Sequence, residues 1–256
     1  MVKEALFAID IGNSCVDIGY FERGTLVWKE YFPSTPESME IVCQRALDWK
    51  IDKDVIIAAV VPSLCDLLAT LLENALAQKP ILVEHFKTRL MPLLVDNPVS
   101  VGVDRLVNCF GAMRLYGRPA IVVSLGTATT FEVDSPEGSY LGGAIAPGVR
   151  ISLEALSQRT ALLPPVKLRK PAKLIATNTI GHIESGIYYG TVSMIEGMVK
   201  RIRTTLGAAA PVIGTGGLSS EVAAEGVFDY HEPELTLKGL LAVYLSHQQQ
   251  GFGQAG

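Results

Sequence analysis

Residues Ala5 to Ile9 form an unbroken apolar run that leads into Asp10, Ile11 and Gly12. Ala5–Ile11, apolar and in part β-branched, reads as a strand. Gly12-Asn13-Ser14 then reads as a turn, and Val16–Phe21 and Thr25–Phe32 as strands flanking a second turn at Glu22-Arg23-Gly24. Pro36 to Trp49 has helical spacing, Asp54–Val61 is a near-continuous apolar run typical of a buried parallel strand, and Leu64–Ala77 is a helix with Ser63 as its expected N-cap. Ile81–Val83 is a short strand. Val103–Tyr116 is helical through Leu106, Cys109, Phe110 and Met113.

The opening theme then returns. Ala120–Leu125, Thr129–Val133 and Tyr140–Ile145 predict strands separated by Gly126-Thr127-Ala128 and by Pro136-Glu137-Gly138. Pro147–Gln158 and Thr179–Leu206 predict helices, Pro211–Gly214 a strand, and Pro233–Gln248 a last helix before a Gln/Gly-rich tail expected to fray. A shift of 114 residues places Ile9 on Val123, Ile11 on Leu125 and Gly12 on Gly126. The pattern predicts an α/β protein of two related halves with mixed sheets, residues 1–117 and 118–256, and a ligand cleft between them.

Composition narrows the function classes. With 48% apolar and 19% charged residues, the 256-residue chain can bury a sizeable core. A net charge of −4, without a basic cluster interleaved with aromatics, gives no general attraction to nucleic acid or to an anionic membrane. The four cysteines and four histidines are scattered, which fits reduced thiols better than a zinc site or a disulfide framework. No run of 18 apolar residues occurs and no leader pattern precedes Asp10, so a soluble, cytoplasmic protein is expected.

Candidate chemistry lies in the turns. The amides of Asp10-Ile11-Gly12-Asn13-Ser14 can form a phosphate nest with Asp10 holding Mg²⁺, although the same residues suit an ordinary hairpin. Gly126-Thr127-Ala128-Thr129-Thr130 offers hydroxyls around a second glycine turn, or simply a Thr-rich strand. Neither turn has the Gly-Lys-Ser/Thr of a P-loop. In Gly102-Val103-Asp104-Arg105, Asp104 can accept a proton and Arg105 can clamp a carboxylate. The plainer alternative is an acid favouring a helix N-terminus beside a solvated Arg. Gly142, Gly143 and Gly148 leave room for a ligand or another strand, and Gly214-Thr215-Gly216-Gly217 leaves room for a ribose. Gly181, Gly186, Gly190 and Gly197 in the long helix suggest close helix packing, within one chain or between two.

The motifs occur in a defined order: Asp10-x-Gly-Asn-Ser14, Asn97-Pro98 before Gly102-x-Asp-Arg105, Gly126-Thr-Ala-Thr-Thr130, Tyr140-Leu-Gly-Gly-x-Ile-x-Pro-Gly148, Leu163-Pro164, Asn178-Thr179 and Thr215-Gly-Gly217. From about residue 5 to about residue 245 the set resembles the type III pantothenate kinases, of the acetate-kinase, sugar-kinase, Hsp70 and actin superfamily. The resemblance implies two duplicated ribonuclease-H-like halves, a homodimer, and transfer of the ATP γ-phosphate to pantothenate, the first step towards coenzyme A. It further implies that Asp10, Ile11, Gly12, Asn13, Ser14, Cys15, Val16 and Asp17 hold the phosphates, with Mg²⁺ on Asp10. Gly126, Thr127 and Thr129 would contact ATP, and Gly216 and Gly217 would flank adenosine. Asp104 would be the base; Gly102, Val103 and Arg105 would bind pantothenate, with Thr179 reaching it from the neighbouring subunit.

Three positions depart from the family pattern. Ser14 replaces the usual Thr and keeps the hydroxyl, whereas Val95 stands where a Tyr often lines the substrate pocket. Ser124 stands where the family has an Asp resembling a ligand for K⁺ or NH₄⁺, so a monovalent cation would bind more weakly there. The alternatives are a nucleotide-binding regulator without turnover, or a kinase of another small hydroxy acid.

Overall fold

A computed structural model describes residues 5–49, 53–83 and 90–249. The chain divides into two compact units, 1–114 with 235–256, and 115–234. The last helix lies in unit 1, with the start of the chain. Most of the expected frayed tail lies outside the described residues.

Unit 1 is built on β1 (Ala5–Ile11), β2 (Cys15–Glu22), β3 (Thr25–Pro33), β4 (Lys53–Ala59) and β5 (Ile81–Leu82), in the order β3-β2-β1-β4-β5. β1 pairs antiparallel with β2 and parallel with β4, which places it at the centre of a mixed sheet. Its near-continuous apolar sequence follows from that position, whereas edge strand β3 alternates exposed and half-buried residues. One face carries α1 (Pro36–Asp48) and α2 (Pro62–Leu76), whose Met39, Val42, Leu64, Leu68 and Leu72 pack on Phe7, Ile9, Ile11, Val16 and Ile18. Thr35 caps α1, accepting from the Ser38 N–H. Ser63 does not cap α2: Pro62 already occupies its first turn and Val61 stands at the cap.

α3 (Val103–Tyr116) and α7 (Leu235–Gln249) complete this unit, with α7 lying on β1. A Cβ at Gly111 would lie 2.8 Å from Gly239 Cα, so the two backbones touch where the helices cross. Thr236 Oγ1 donates to Asn108 Oδ1 at 2.8 Å, and Tyr244 Oη donates to Asp54 Oδ2 at 2.7 Å. These long-range contacts hold α7 to unit 1, and no local pattern near residue 235 encodes them.

Unit 2 repeats the topology with β6 (Ile121–Leu125), β7 (Ala128–Asp134), β8 (Tyr140–Pro147), β9 (Val212–Thr215) and β10 (Tyr230–His231), in the order β10-β9-β6-β7-β8. β6 lies antiparallel to β7 and parallel to β9, as β1 does to β2 and β4. The helices are α4 (Val149–Arg159), α5 (Thr179–Leu206) and the short α6 (Ser219–Ala223). Tyr188, Val192, Ile195 and Val199 of α5 cover Ile121, Val123, Leu125 and Phe131. Asn178 caps α5, and Gly207 ends it at φ +64°.

Asp134 is fully buried, and its Oδ1 accepts the Ala120 N–H at 2.6 Å beside the start of β6. Burial raises its pKa from 3.8 to about 6, against the lowering effect of its backbone hydrogen bonds and Arg118. A carboxyl with a raised folded-state pKa stabilises while protonated. Its contribution is full below about pH 4 and lost as pH rises through about 6, on the order of 3 kcal/mol. Asp134→Asn is therefore expected to flatten this part of the stability–pH curve, read from urea midpoints between pH 4 and pH 7.5. An unchanged slope would show that Asp134 is ionised throughout.

Candidate active site

Tertiary contacts hold the first turn from two sides. Gly12 N–H donates to the Cys15 carbonyl at 2.9 Å, and Val60 N–H donates to the Ile11 carbonyl at 3.0 Å. Ser34 supplies the second clasp: its Oγ donates to the Gly12 carbonyl at 2.6 Å and its N–H to the Ser14 carbonyl at 3.1 Å. Sequence reasoning missed Ser34 because only the Cys15–Pro33 pairing of β2 with β3 brings it here. Asn13 and Ser14 remain exposed, whereas Ile11 and Val16 are buried and can offer only backbone.

The strand register places Asp10 opposite Asp17, on the face turned away from the α1–α2 core. Asp10 Oδ1 is buried and has no hydrogen-bond partner among the described residues. Burial first, then the charges of Asp104 and Asp17, hold the Asp10 carboxyl well above the usual carboxylate range. Asp17 is pushed up by the protein around it and pulled back by Lys29. An orphaned buried oxygen among like charges favours a cation. Among the described residues no three His, Cys, Asp or Glu gather at coordinating distance. A buried carboxylate oxygen of this kind could serve a divalent cation such as Mg²⁺, which takes one or two carboxylates and fills its shell with water.

Asp104 reaches this neighbourhood from the first turn of α3. Asn97 opens the approach by capping the 3₁₀ turn Pro98–Ser100, accepting from Val99 N–H at 3.3 Å, while Ser100 Oγ donates to the Asn97 carbonyl at 2.7 Å. A Cβ at Gly102 would sit 2.5 Å from Asp104 Oδ1. The carboxylate folds back over the glycine, so any side chain there would push it aside. Asp104 and Arg105 are half-buried, Val103 is buried, and Val95 is half-buried in the preceding segment.

In unit 2, Ser124 is flanked by Thr130 on β7 and Thr215 on β9. Three hydroxyls thus stand where unit 1 has Asp10, Asp17 and Ala58. The turn is one residue tighter, with Gly126 N–H donating to the Ala128 carbonyl at 3.1 Å. Thr127 is exposed. Thr129 is fully buried with no hydrogen-bond partner for its hydroxyl among the described residues, because the strand's period of two sends it to the same side as Phe131. Of the two threonines expected at ATP, only Thr127 presents a hydroxyl at the surface.

Glycines also bring the neighbouring segments in. A Cβ at Gly148, the N-cap of α4, would overlap the Thr127 carbonyl, and one at Gly143 would overlap Phe131. Gly216 has φ +89°, and its Cβ would lie 2.7 Å from the Leu125 carbonyl. That carbonyl accepts the Leu218 N–H at 3.1 Å, while Gly217 faces open space. Thr179 is exposed at the start of α5. Nothing lies within 4 Å of the Cβ positions of Gly186 and Gly190, so the packing expected there is not made by described residues of this chain.

Paired five-stranded mixed sheets, each with a glycine turn after its central strand, define the actin and sugar-kinase class of α/β proteins. Solved structures agree on the fold. A Campylobacter jejuni protein described as a conserved putative Baf family transcriptional activator matches 95% of this chain and 99% of its own, with a TM-score of 0.59 at 18% identity. A putative N-acetylmannosamine kinase from Listeria monocytogenes matches 96% and 100%, with a TM-score of 0.53 at 11% identity. The type III pantothenate kinase model matches residues 6–201, and the chain belongs to that family. The type III pantothenate kinase of Moorella thermoacetica is 40% identical over 93% of this chain and 98% of its own length. That of Dehalococcoides mccartyi strain 195 is 36% identical over 96% and 100%.

Gly102→Ala is expected to displace the Asp104 carboxylate and lower phosphoryl-transfer turnover roughly 10- to 100-fold, with little change in melting temperature. Wild-type turnover in this variant would show that the carboxylate tolerates the shift.

Proposed function

We propose that the chain transfers the γ-phosphoryl group of ATP to the hydroxyl of pantothenate, giving 4'-phosphopantothenate on the way to coenzyme A. The supporting observation is that Asp104 stands close enough to the Gly12 turn for its charge to raise the pKa of Asp10. A base and a phosphate turn thus share one neighbourhood of unit 1.

The turn amides with Asn13 and Ser14 take phosphate oxygens. Asp10, with Asp17 beside it, would hold Mg²⁺, which when bound neutralises charge on the phosphates. Arg105 holds the pantothenate carboxylate and orients the molecule. Asp104 accepts the hydroxyl proton as the new oxygen–phosphorus bond forms and the bond to ADP breaks. Use of ATP puts the reaction in the cytoplasm. Asp104→Asn keeps the shape and loses the base, so transfer is expected to fall at least about 100-fold with ATP affinity within about threefold. Wild-type turnover would remove Asp104 as the base. A panel of small hydroxy acids assayed beside pantothenate tests the acceptor, since Val95 supplies no phenol to the pocket.

The Ser124–Thr130–Thr215 row offers neutral oxygens only, which supports weak binding of a monovalent cation. Ser124→Asp is expected to increase the dependence of the rate on K⁺ or NH₄⁺ relative to a bulky organic cation. An unaltered salt response would place the cation elsewhere.

A homodimer is the assembly we favour. Thr179, His182, Gly186 and Gly190 form an exposed seam along α5, and exposed Leu174, Ile175 and Ile180 flank its start. Open glycines at this spacing let a second helix approach backbone to backbone, and a second copy would bring Thr179 to its partner's pantothenate.

A further inference from the structure

His231 ends β10, pairs with Gly214 of β9 and is exposed. Its ring stacks on that of Phe228, with centroids 6.2 Å apart and planes 11° from parallel. Phe228 in turn fills the space over Gly214, where a Cβ would come within 2.3 Å of the ring. Backbone pairing and one ring face therefore hold the imidazole in place. Its Nε2 lies 2.9 Å from the Oγ of Ser219, a fully buried residue at the start of α6. The direction of each hydrogen bond follows from the donors available. Ser219 Oγ donates its one proton to the Gly216 carbonyl at 2.7 Å. Towards His231 the hydroxyl can then only accept, so Nε2 carries the ring proton and donates it. A hydroxyl that accepts from an N–H is itself the stronger donor.

We infer that His231 is a positioning residue for the ATP-dependent reaction, acting through the Ser219 hydroxyl on the backbone of Gly216 and Leu125. The inference rests on the kinase function proposed above. Gly216 stands at φ +89°, one of several conformations open to a glycine at similar cost, so its neighbours must select it. Its carbonyl accepts twice from Ser219, from Oγ at 2.7 Å and from the N–H at 3.0 Å. In that conformation Gly216 packs against Leu125, whose carbonyl also accepts the Leu218 N–H at 3.1 Å. Leu125 ends β6 and leads directly into the Gly126 turn. A line of donors thus runs from an exposed imidazole, through a buried hydroxyl, to the root of that turn, and every residue in it belongs to unit 2. His231 touches none of the residues expected at the substrates, so its effect passes through backbone geometry alone.

The test separates a donor at position 231 from mere bulk. His231→Leu keeps the size and removes the donor, whereas His231→Gln returns an N–H at similar reach. His231→Leu is expected to raise the ATP dissociation constant, read by titration calorimetry, and the KM for ATP roughly 3- to 10-fold, the scale of one hydrogen bond. The kcat and the KM for pantothenate should stay within about twofold, and His231→Gln should restore ATP binding to within about twofold of wild type. Ser219→Ala should weaken ATP binding at least as much as His231→Leu, and the double variant should be no more than about twofold weaker than Ser219→Ala, because the line is already cut. The exposed His231 variants decide the matter by themselves if Ser219→Ala fails to fold. Wild-type ATP affinity in His231→Leu, no recovery in His231→Gln, additive losses in the double variant, or an equal rise in the KM for pantothenate overturns the inference and leaves the kinase function standing. A wild-type protein that binds ATP and phosphorylates no pantothenate would refute the proposed reaction, while the calorimetric comparison still decides the role of His231. Absence of ATP binding by the wild-type protein would refute both.

Discussion

A β-strand sends alternate side chains to opposite faces, and the site depends on that parity at β1 and β6. Ile9 and Ile11 point into the core under α1 and α2, so Asp10 must emerge on the other face. There it meets Asp17 across the ladder and the charge of Asp104 from α3. A one-residue slip would bury the carboxylate in hydrocarbon and turn an isoleucine to the face that carries Asp17. The apolar core therefore sets the register, and the register sets the site.

The same geometry serves two electrostatic purposes. In unit 1 the face after the central strand carries carboxylates, one with a buried oxygen that has no hydrogen-bond partner among the described residues, and their like charges raise the cost of ionisation. In unit 2 the equivalent face carries three hydroxyls, which bind through hydrogen bonds and tolerate burial without a counter-ion. Related halves have thus diverged at the very strand positions their shared topology makes equivalent.

Much of this was legible in the sequence. Apolar runs located the central strands, and helical spacing located α3 and α5 with the bounds the structure has. Glycine turns after β1 and β6 were visible because glycine and small polar residues interrupt two apolar runs. What stayed hidden was long-range. Ser34 clasps the Gly12 turn only through the β2–β3 pairing, and Gly148 meets Thr127 only once β8 has aligned with β7. Thr129 looked equivalent to Thr127 because a motif records hydroxyls and not the side of the sheet on which each one lies. The placement of α7 depends on glycine contacts with α3, more than a hundred residues earlier.

That return of α7 has a consequence for synthesis. Unit 2 is a contiguous stretch inserted between two parts of unit 1. A ribosome delivers all of residues 115–234 before the helix that covers β1. The middle of the polypeptide can therefore finish folding while the unit begun first still shows the apolar flank of its sheet. That nascent surface is the part of the molecule a chaperone would have reason to shield.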